Sequence, residues 1–337
     1  MNKRFGWRML TGAIAVSAIL WAGGTAIAVE KLTAVYAFPK GLVYTQSFLD
    51  MVKLINERGK GVVEIELRGG PEAIGQFEQG AAVRDGVVDM MYGPGSFYGA
   101  AVPEIDAIVA SHVSPMEARK NGGIALMDQA HQKRMGAKYL AWIDAGIQFH
   151  IYMVNDPKIG ADGIPDLSGV KMRDNPIYHA FFGSLNATTA SIKSPEVYAA
   201  FEKGVVDATA WTSIGLRQLK WDKFLKYRIN PGFYQTDIGV IVNLDAWNRL
   251  SDKAKKIIQD TAIEWEEKSL NDRNKERVEE EAALKAGGMK FVDLPKAGAT
   301  KYIKLADDAA WARMKERMEK MGGMENYDKL RKAFGAE

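Results

Sequence analysis

Gly86-Val87-Val88-Asp89 and Gly204-Val205-Val206-Asp207 are the same four residues, 118 positions apart. Each copy follows a stretch with helical spacing, 76–84 and 194–203, and each precedes a short strand-like run, Met90-Met91-Tyr92 and Ala208–Thr212. A glycine just past a helix can take the left-handed conformation that other residues resist, and the two valines then start a strand. The same succession of helix, glycine and strand in both halves predicts two α/β lobes of related construction with a cleft between them.

The flanking sequence extends this pattern. Residues 32–38 read as a buried strand ended by Pro39-Lys40-Gly41, 44–58 as an amphipathic helix, and 62–68 as a strand alternating apolar and charged residues. Strand, helix and strand in succession argue for parallel α/β architecture. Further on, 115–135 reads as one helix, 139–143 and 149–155 as strands, and 160–169 as a loop rich in Gly, Asp and Pro. A short strand at 170–173, a helix over 177–186 after Pro176, and a buried strand at 236–243 follow. Ser251 then caps a helix expected to run over 252–286 to Gly287-Gly288. At 1.5 Å per residue it spans roughly 50 Å, longer than one lobe. Its first half carries Ile257, Ile258, Thr261, Ala262 and Trp265, whereas 271–281 is almost wholly charged and lacks a coiled-coil seam. The expectation is a helix packed early, solvated late, and bracing both lobes.

The 337 residues suffice for one large or two ordinary domains, and 47% hydrophobic with 26% charged residues suits a soluble globular chain. Residues 1–28 stand apart. Lys3, Arg4 and Arg8 precede an apolar run over 9–22, and Ala26-Ile27-Ala28 fits a small-residue cleavage site, so a secretory signal peptide cleaved after Ala28 is expected, placing the mature protein in the periplasm. The run is short for a membrane span. Without cysteine, disulfides, thiol catalysis and a lipid anchor are excluded. Removing the three basic leader residues leaves 42 basic against 42 acidic ones, which gives no basic excess for nucleic acid or an anionic membrane.

Motifs that carry catalysis are missing. Gly93-Pro94-Gly95-Ser96-Phe97-Tyr98-Gly99 lacks the spacing of a nucleophile elbow, and neither a phosphate loop nor a dinucleotide glycine pattern occurs. His112, His131, His150 and His179 have no metal-ligand spacing, so no metal or cofactor is expected. One segment has the character of a binding site. Gly169-Val170-Lys171-Met172-Arg173 ends a strand on an arginine, with Asp174-Asn175-Pro176 leading into a helix. A guanidinium fork can pair both oxygens of a carboxylate, and the helix dipole adds to the field. The competing reading is a surface arginine paired with Asp174 or Glu196.

Leu167-Ser168-Gly169-Val170-Lys171-Met172-Arg173, then Ala187, then Pro195-Glu196-Val197-Tyr198-Ala199-Ala200-Phe201 and the second Gly-Val-Val-Asp, resemble the solute-binding proteins of TRAP (tripartite ATP-independent periplasmic) transporters. The likeness runs from about residue 30 to 321 and includes 74–89, Val102-Pro103-Glu104 and the long helix. It implies a two-lobed periplasmic-binding-protein fold that closes on a small organic acid, delivers it to a membrane permease and performs no chemistry. It also implies that Arg173 binds the ligand carboxylate. Many members place a second arginine where this chain has His150, which could serve as a hydrogen-bond donor or, if its pKa is raised, a cation. Ala208-Thr209-Ala210-Trp211-Thr212 replaces the polar segment of many members, so Trp211 faces the cleft by this likeness, and Ala210 cannot ligate a bridging metal. The lobe-I wall is expected from Phe38, Ser96 and Phe97, with Phe149, Asn175 and Tyr234 as further contacts. These aromatics favour a monocarboxylate with an apolar or aromatic body over a short dicarboxylate. The lobes are drawn as 29–152 plus about 238–276 and 153–237 plus about 277–337, in a monomer. The alternatives are the binding protein of another uptake system and a periplasmic α/β enzyme acting on a small acid.

Overall fold

The computed structural model describes Met1 and residues 28–335; the expected signal segment lies, but for its two end residues, outside them. Among the described residues twelve strands form two sheets: β1 (Glu30–Tyr36), β2 (Val63–Gly69), β3 (Met90–Pro94), β4 (Ala137–Trp142), β5 (Gln148–Met153), β6 (Lys171–Asp174), β7 (Thr188–Ser191), β8 (Ala208–Thr212), β9 (Tyr227–Asn230), β10 (Phe233–Gln235), β11 (Ile238–Asn243) and β12 (Lys290–Asp293). The first sheet is ordered β2-β1-β3-β11-β4 and the second β7-β6-β8-β5-β9-β12, with β10 beside β5. β1 is parallel to β2 and β3, as β6 is to β7 and β8. The fourth strand of each order, β11 or β5, runs antiparallel to its neighbours and arrives from the other sheet. The chain therefore crosses between lobes at 143–147 and returns at 236–237.

The repeated tetrapeptide sits at equivalent places in both lobes. Gly86 and Gly204 have φ of 70° and 64°, the left-handed conformation predicted for them. The Val87 and Val205 amides donate to Ala82 and Ala200 carbonyls, each at 2.9 Å, which closes both helices with Schellman geometry. Val88 and Val206 are buried while Val87 and Val205 point to solvent. The Asp89 amide then donates to the Thr33 carbonyl of β1 at 3.1 Å, and the Asp207 amide to that of Lys171 of β6 at 2.7 Å. Each copy thus delivers its strand parallel to an earlier strand of its own sheet, β3 beside β1 and β8 beside β6.

The expected helix over 115–135 is two, Pro115–Lys120 and Gly123–Met135. Gly122, at φ 88°, turns the chain between them, and Ser114 with Glu117 forms a capping box on the first. The long helix is Asp252–Ala286, and Ser251 Oγ accepts from the Ala254 amide at 3.2 Å. Ala254, Ile258, Thr261, Ala262 and Trp265 are buried on the first lobe, and the Trp265 indole donates to Ser47 Oγ at 3.0 Å. The second half is not simply solvated. Arg273 pairs with Asp144 in the first crossing at 2.9 Å, Glu280 accepts from the Arg217 amide at 3.0 Å, and Glu281 pairs with Arg228 of β9 at 2.9 Å. Charge pairs, rather than an apolar stripe, attach this half to the second lobe.

Two lobe boundaries differ from the expectation. Strand β5 pairs with β8 from Phe149 to Met153, so 148–152 belongs to the second sheet. Nor is 277–337 confined to the second lobe. Arg313, on the helix Lys296–Met321, donates to Asp106 of the first lobe and to the Pro176 carbonyl of the second. The Phe334 carbonyl, on the terminal helix Tyr327–Phe334, accepts from the His112 amide at 2.9 Å. Among the described residues no helix is long and apolar enough to cross a membrane.

Candidate functional site

The carboxyl ends of β1, β3, β6 and β8 point toward the cleft, the usual ligand position in open α/β sheets. Phe38 follows β1, Pro94 ends β3, Asn175 follows β6 and Thr212 ends β8. With Tyr44, Phe97, Phe149, Trp211 and the return crossing Thr236–Asp237, they line a cavity of about 20 Å³. That is room for about one water, so an organic acid requires the lobes to part. The contacts across the cleft belong to a closed form. Phe38 meets Trp211 edge-on at 6.0 Å, and the Tyr44 hydroxyl donates to Thr212 Oγ1 at 2.7 Å. At the rim Ser194 Oγ donates to Gln76 at 2.8 Å, and Lys193 lies 3.1 Å from Glu78.

Five of the nine expected site residues line the cavity: Phe38, Phe97, Phe149, Asn175 and Trp211. Arg173 does not line it, but precedes by two residues Asn175, which does. Arg173 faces Thr209 across β6 and β8, and Trp211 faces His150 across β8 and β5. Thr209 and Trp211 are two residues apart, so all four share one face. The guanidinium lies 5.8 Å from the Trp221 ring, which packs edge-on against Trp211 at 4.9 Å. Its Nε donates to the Ile192 carbonyl at 2.9 Å and its Nη1 to the Tyr178 hydroxyl, while Nη2 has no partner. Arg173 is 0% exposed with no carboxylate within 4 Å among the described residues, whereas buried Arg228 pairs with one and buried Arg273 with two. The alternative pairing of Arg173 with Asp174 or Glu196 does not form; Asp174 contacts His179.

Three expected contacts are placed differently. His150 is buried, and its Nδ1 bonds the Ile229 carbonyl at 3.0 Å. Burial first, and the nearby Arg228 second, push its pKa down to about 3, so it is a neutral imidazole whose N–H is already occupied, not a cation. Tyr234, at φ 48°, turns into a separate hollow of about 270 Å³ with Phe233, His112 and Asp307. Ser96 lies beneath the cleft wall, its amide donating to Asp237 Oδ2 at 2.6 Å.

Asp237, Thr236 and Tyr44 were missed. Asp237 is fully buried, and desolvation raises its carboxyl to about 6 against the opposing Ser96 amide. The signal was available: an acid within an apolar strand pattern, Thr236-Asp237-Ile238-Gly239-Val240, requires an explanation. Among the described residues no three His, Asp or Glu side chains gather to hold a metal ion.

Comparison with known proteins agrees with this architecture. A family model described as bacterial extracellular solute-binding protein, family 7 (DctP), matches residues 35–317. A curated relative, the monocarboxylate 2-oxoacid-binding periplasmic protein of a Nostoc strain, is 29% identical over 38% of this chain, and the match spans only 36% of that protein. The extracytoplasmic solute receptor DctP7 of Bordetella pertussis, which binds pyroglutamic acid, superposes with a TM-score of 0.76 at 20% identity, over 90% of this chain and 98% of its own. A TRAP periplasmic solute-binding protein of Rhodoferax ferrireducens with bound malonate gives 0.74 at 20% identity, over 89% and 95%. These two likenesses show the fold: two α/β lobes around a cleft, spanned by the long helix. The family match extends over most of the chain, and the protein belongs to the bacterial extracellular solute-binding proteins of family 7, the DctP family.

Proposed function

We propose that the protein is a periplasmic receptor that captures a small organic acid by lobe closure and delivers it, as a monomer, to the membrane permease of a TRAP transporter. One observation carries this reading: Arg173 is fully buried, and among the described residues its Nη2 has no hydrogen-bond partner and no carboxylate pairs with it. An uncompensated buried charge is costly, and an incoming carboxylate is the group that would satisfy it. A charge-assisted pair contributes on the order of 1.5–3 kcal/mol. Micromolar binding requires about 8 kcal/mol, so apolar contacts with Phe38, Phe97, Phe149 and Trp211 must supply much of the rest. They favour a monocarboxylate with an apolar or aromatic body. Pyroglutamate and the 2-oxoacids bound by similar proteins are monocarboxylates, while malonate keeps a short dicarboxylate in view. Closure excludes water and strengthens the pair, and the permease then meets a loaded shape distinct from the empty one.

The test is a thermal-shift screen of the mature chain against organic acids, with the compounds recovered afterwards. A monocarboxylate that raises the midpoint more than succinate or malonate and returns unchanged supports the reading. A dicarboxylate that binds far tighter than every monocarboxylate overturns the proposed ligand class. A panel that shifts nothing overturns the receptor reading.

A further inference from the structure

Asp237 sits where the chain returns from the second lobe to the first, fully buried, and lines the cavity. Its Oδ2 accepts from the Ser96 amide at 2.6 Å, which fixes the carboxyl group in place; among the described residues its Oδ1 has no hydrogen-bond partner, and neither has the Ser96 hydroxyl beside the carboxyl group. Two acids buried away from the cavity, Asp106 and Asp144, use both oxygens. Asp106 takes both forks of Arg313, and Asp144 accepts from Arg273 on one oxygen and from Tyr92 on the other. Asp174 also has an orphan oxygen, but it does not line the cavity. A buried carboxyl oxygen without a donor, on a residue that lines the ligand cavity, calls for a donor on the ligand.

We propose that Asp237 is the specificity-determining residue of the cleft, and that the preferred solute is a small acid carrying an N–H donor on its body beside the carboxylate. The inference rests on the carboxylate-receptor reading and deepens it. Arg173 holds the anionic end, the aromatic wall covers the ring, and Asp237 Oδ1 accepts the N–H. An analogue lacking the donor leaves that oxygen unpaired and dry, and a site built to bond an N–H discriminates strongly against such an analogue.

Pyrrole-2-carboxylate and 2-furoate test this, because they differ only in a ring N–H against a ring oxygen. Both are titrated calorimetrically into the wild type, Asp237→Asn and Arg173→Met. The wild type is expected to prefer the pyrrole acid by about tenfold or more. In Asp237→Asn the Ser96 amide takes the amide oxygen and the NH2 turns to the cavity, so the preference collapses or reverses. Arg173→Met weakens both acids alike. Equal or tighter wild-type binding of 2-furoate overturns the proposal, as does a full preference retained by Asp237→Asn. If that variant does not fold, the wild-type ratio decides alone. Binding of malonate without either ring acid overturns the donor reading and leaves the receptor standing. Failure of every acid overturns both.

Discussion

Replacing Arg173 by methionine moves two measurements in opposite directions. In this closed form the guanidinium is fully buried, bonded among the described residues only to the Ile192 carbonyl and the Tyr178 hydroxyl, and has one orphan nitrogen. Methionine keeps much of the volume. The substitution loses the bond to Ile192, about 1 kcal/mol. The Tyr178 hydroxyl keeps its bond to the Ala210 carbonyl at 2.9 Å. Against this, an unpaired buried charge disappears, whose effective penalty is several kcal/mol. Arg173→Met is therefore expected to be at least as stable as wild type when empty, and more stable by about 1 kcal/mol or more. Ligand binding loses a charge-assisted pair of about 1.5–3 kcal/mol, so Kd rises roughly 10- to 150-fold. Urea unfolding of the empty protein reads the first effect, and calorimetric titration with the best acid of the screen reads the second. A variant destabilised by more than about 2 kcal/mol that binds with unchanged affinity would refute the reasoning. Arg173 would then be a structural residue.

Gly204→Ala and Gly86→Ala each force an L-residue into a left-handed conformation, at φ of 64° and 70°, with no steric contact nearer than 4.0 Å. Each should cost about 1–2 kcal/mol in chemical denaturation, and a neutral result at either position would show that the two helix ends are not equivalent. His150 should remain a neutral imidazole at pH 5 by nitrogen NMR, since burial holds its pKa near 3. The unfolded chain takes up that proton first, so the residue withdraws stability as pH falls from about 6.5 toward 3. An imidazolium at pH 5 would contradict its placement. Gln76→Ala removes the rim bond to Ser194. About 1 kcal/mol lost from the closed form alone should weaken ligand binding about fivefold and leave the unfolding midpoint nearly unchanged; unaltered affinity would show that the rim bond does not couple to closure.

What could be read from sequence was local. The repeated tetrapeptide announces matched helix ends because only glycine enters the left-handed region freely, and the long helix announces its limits through Ser251 and Gly287-Gly288. The aromatic wall followed from a family resemblance, not from spacing. Long-range partners were not legible. Strand β5 alternates Phe149, Ile151 and Met153 with His150 and Tyr152, but this pattern does not say which sheet receives it. The charged half of the long helix resembles a solvated face because Arg217 and Arg228 lie 63 and 53 residues from the acids they meet. Asp237 was hidden inside the expected strand at 236–243, whose first two residues form the crossing ahead of β11 instead: its importance lies in the bond it lacks, which only the folded environment reveals.

The most direct test is a structure of the protein with its best-binding acid from the screen. The account predicts lobes closed on the ligand, with a carboxylate oxygen within hydrogen-bond distance of Arg173 Nη2 and the body of the acid against Phe38, Phe149 and Trp211. A carboxylate held elsewhere, with Arg173 Nη2 still unpartnered, would contradict it.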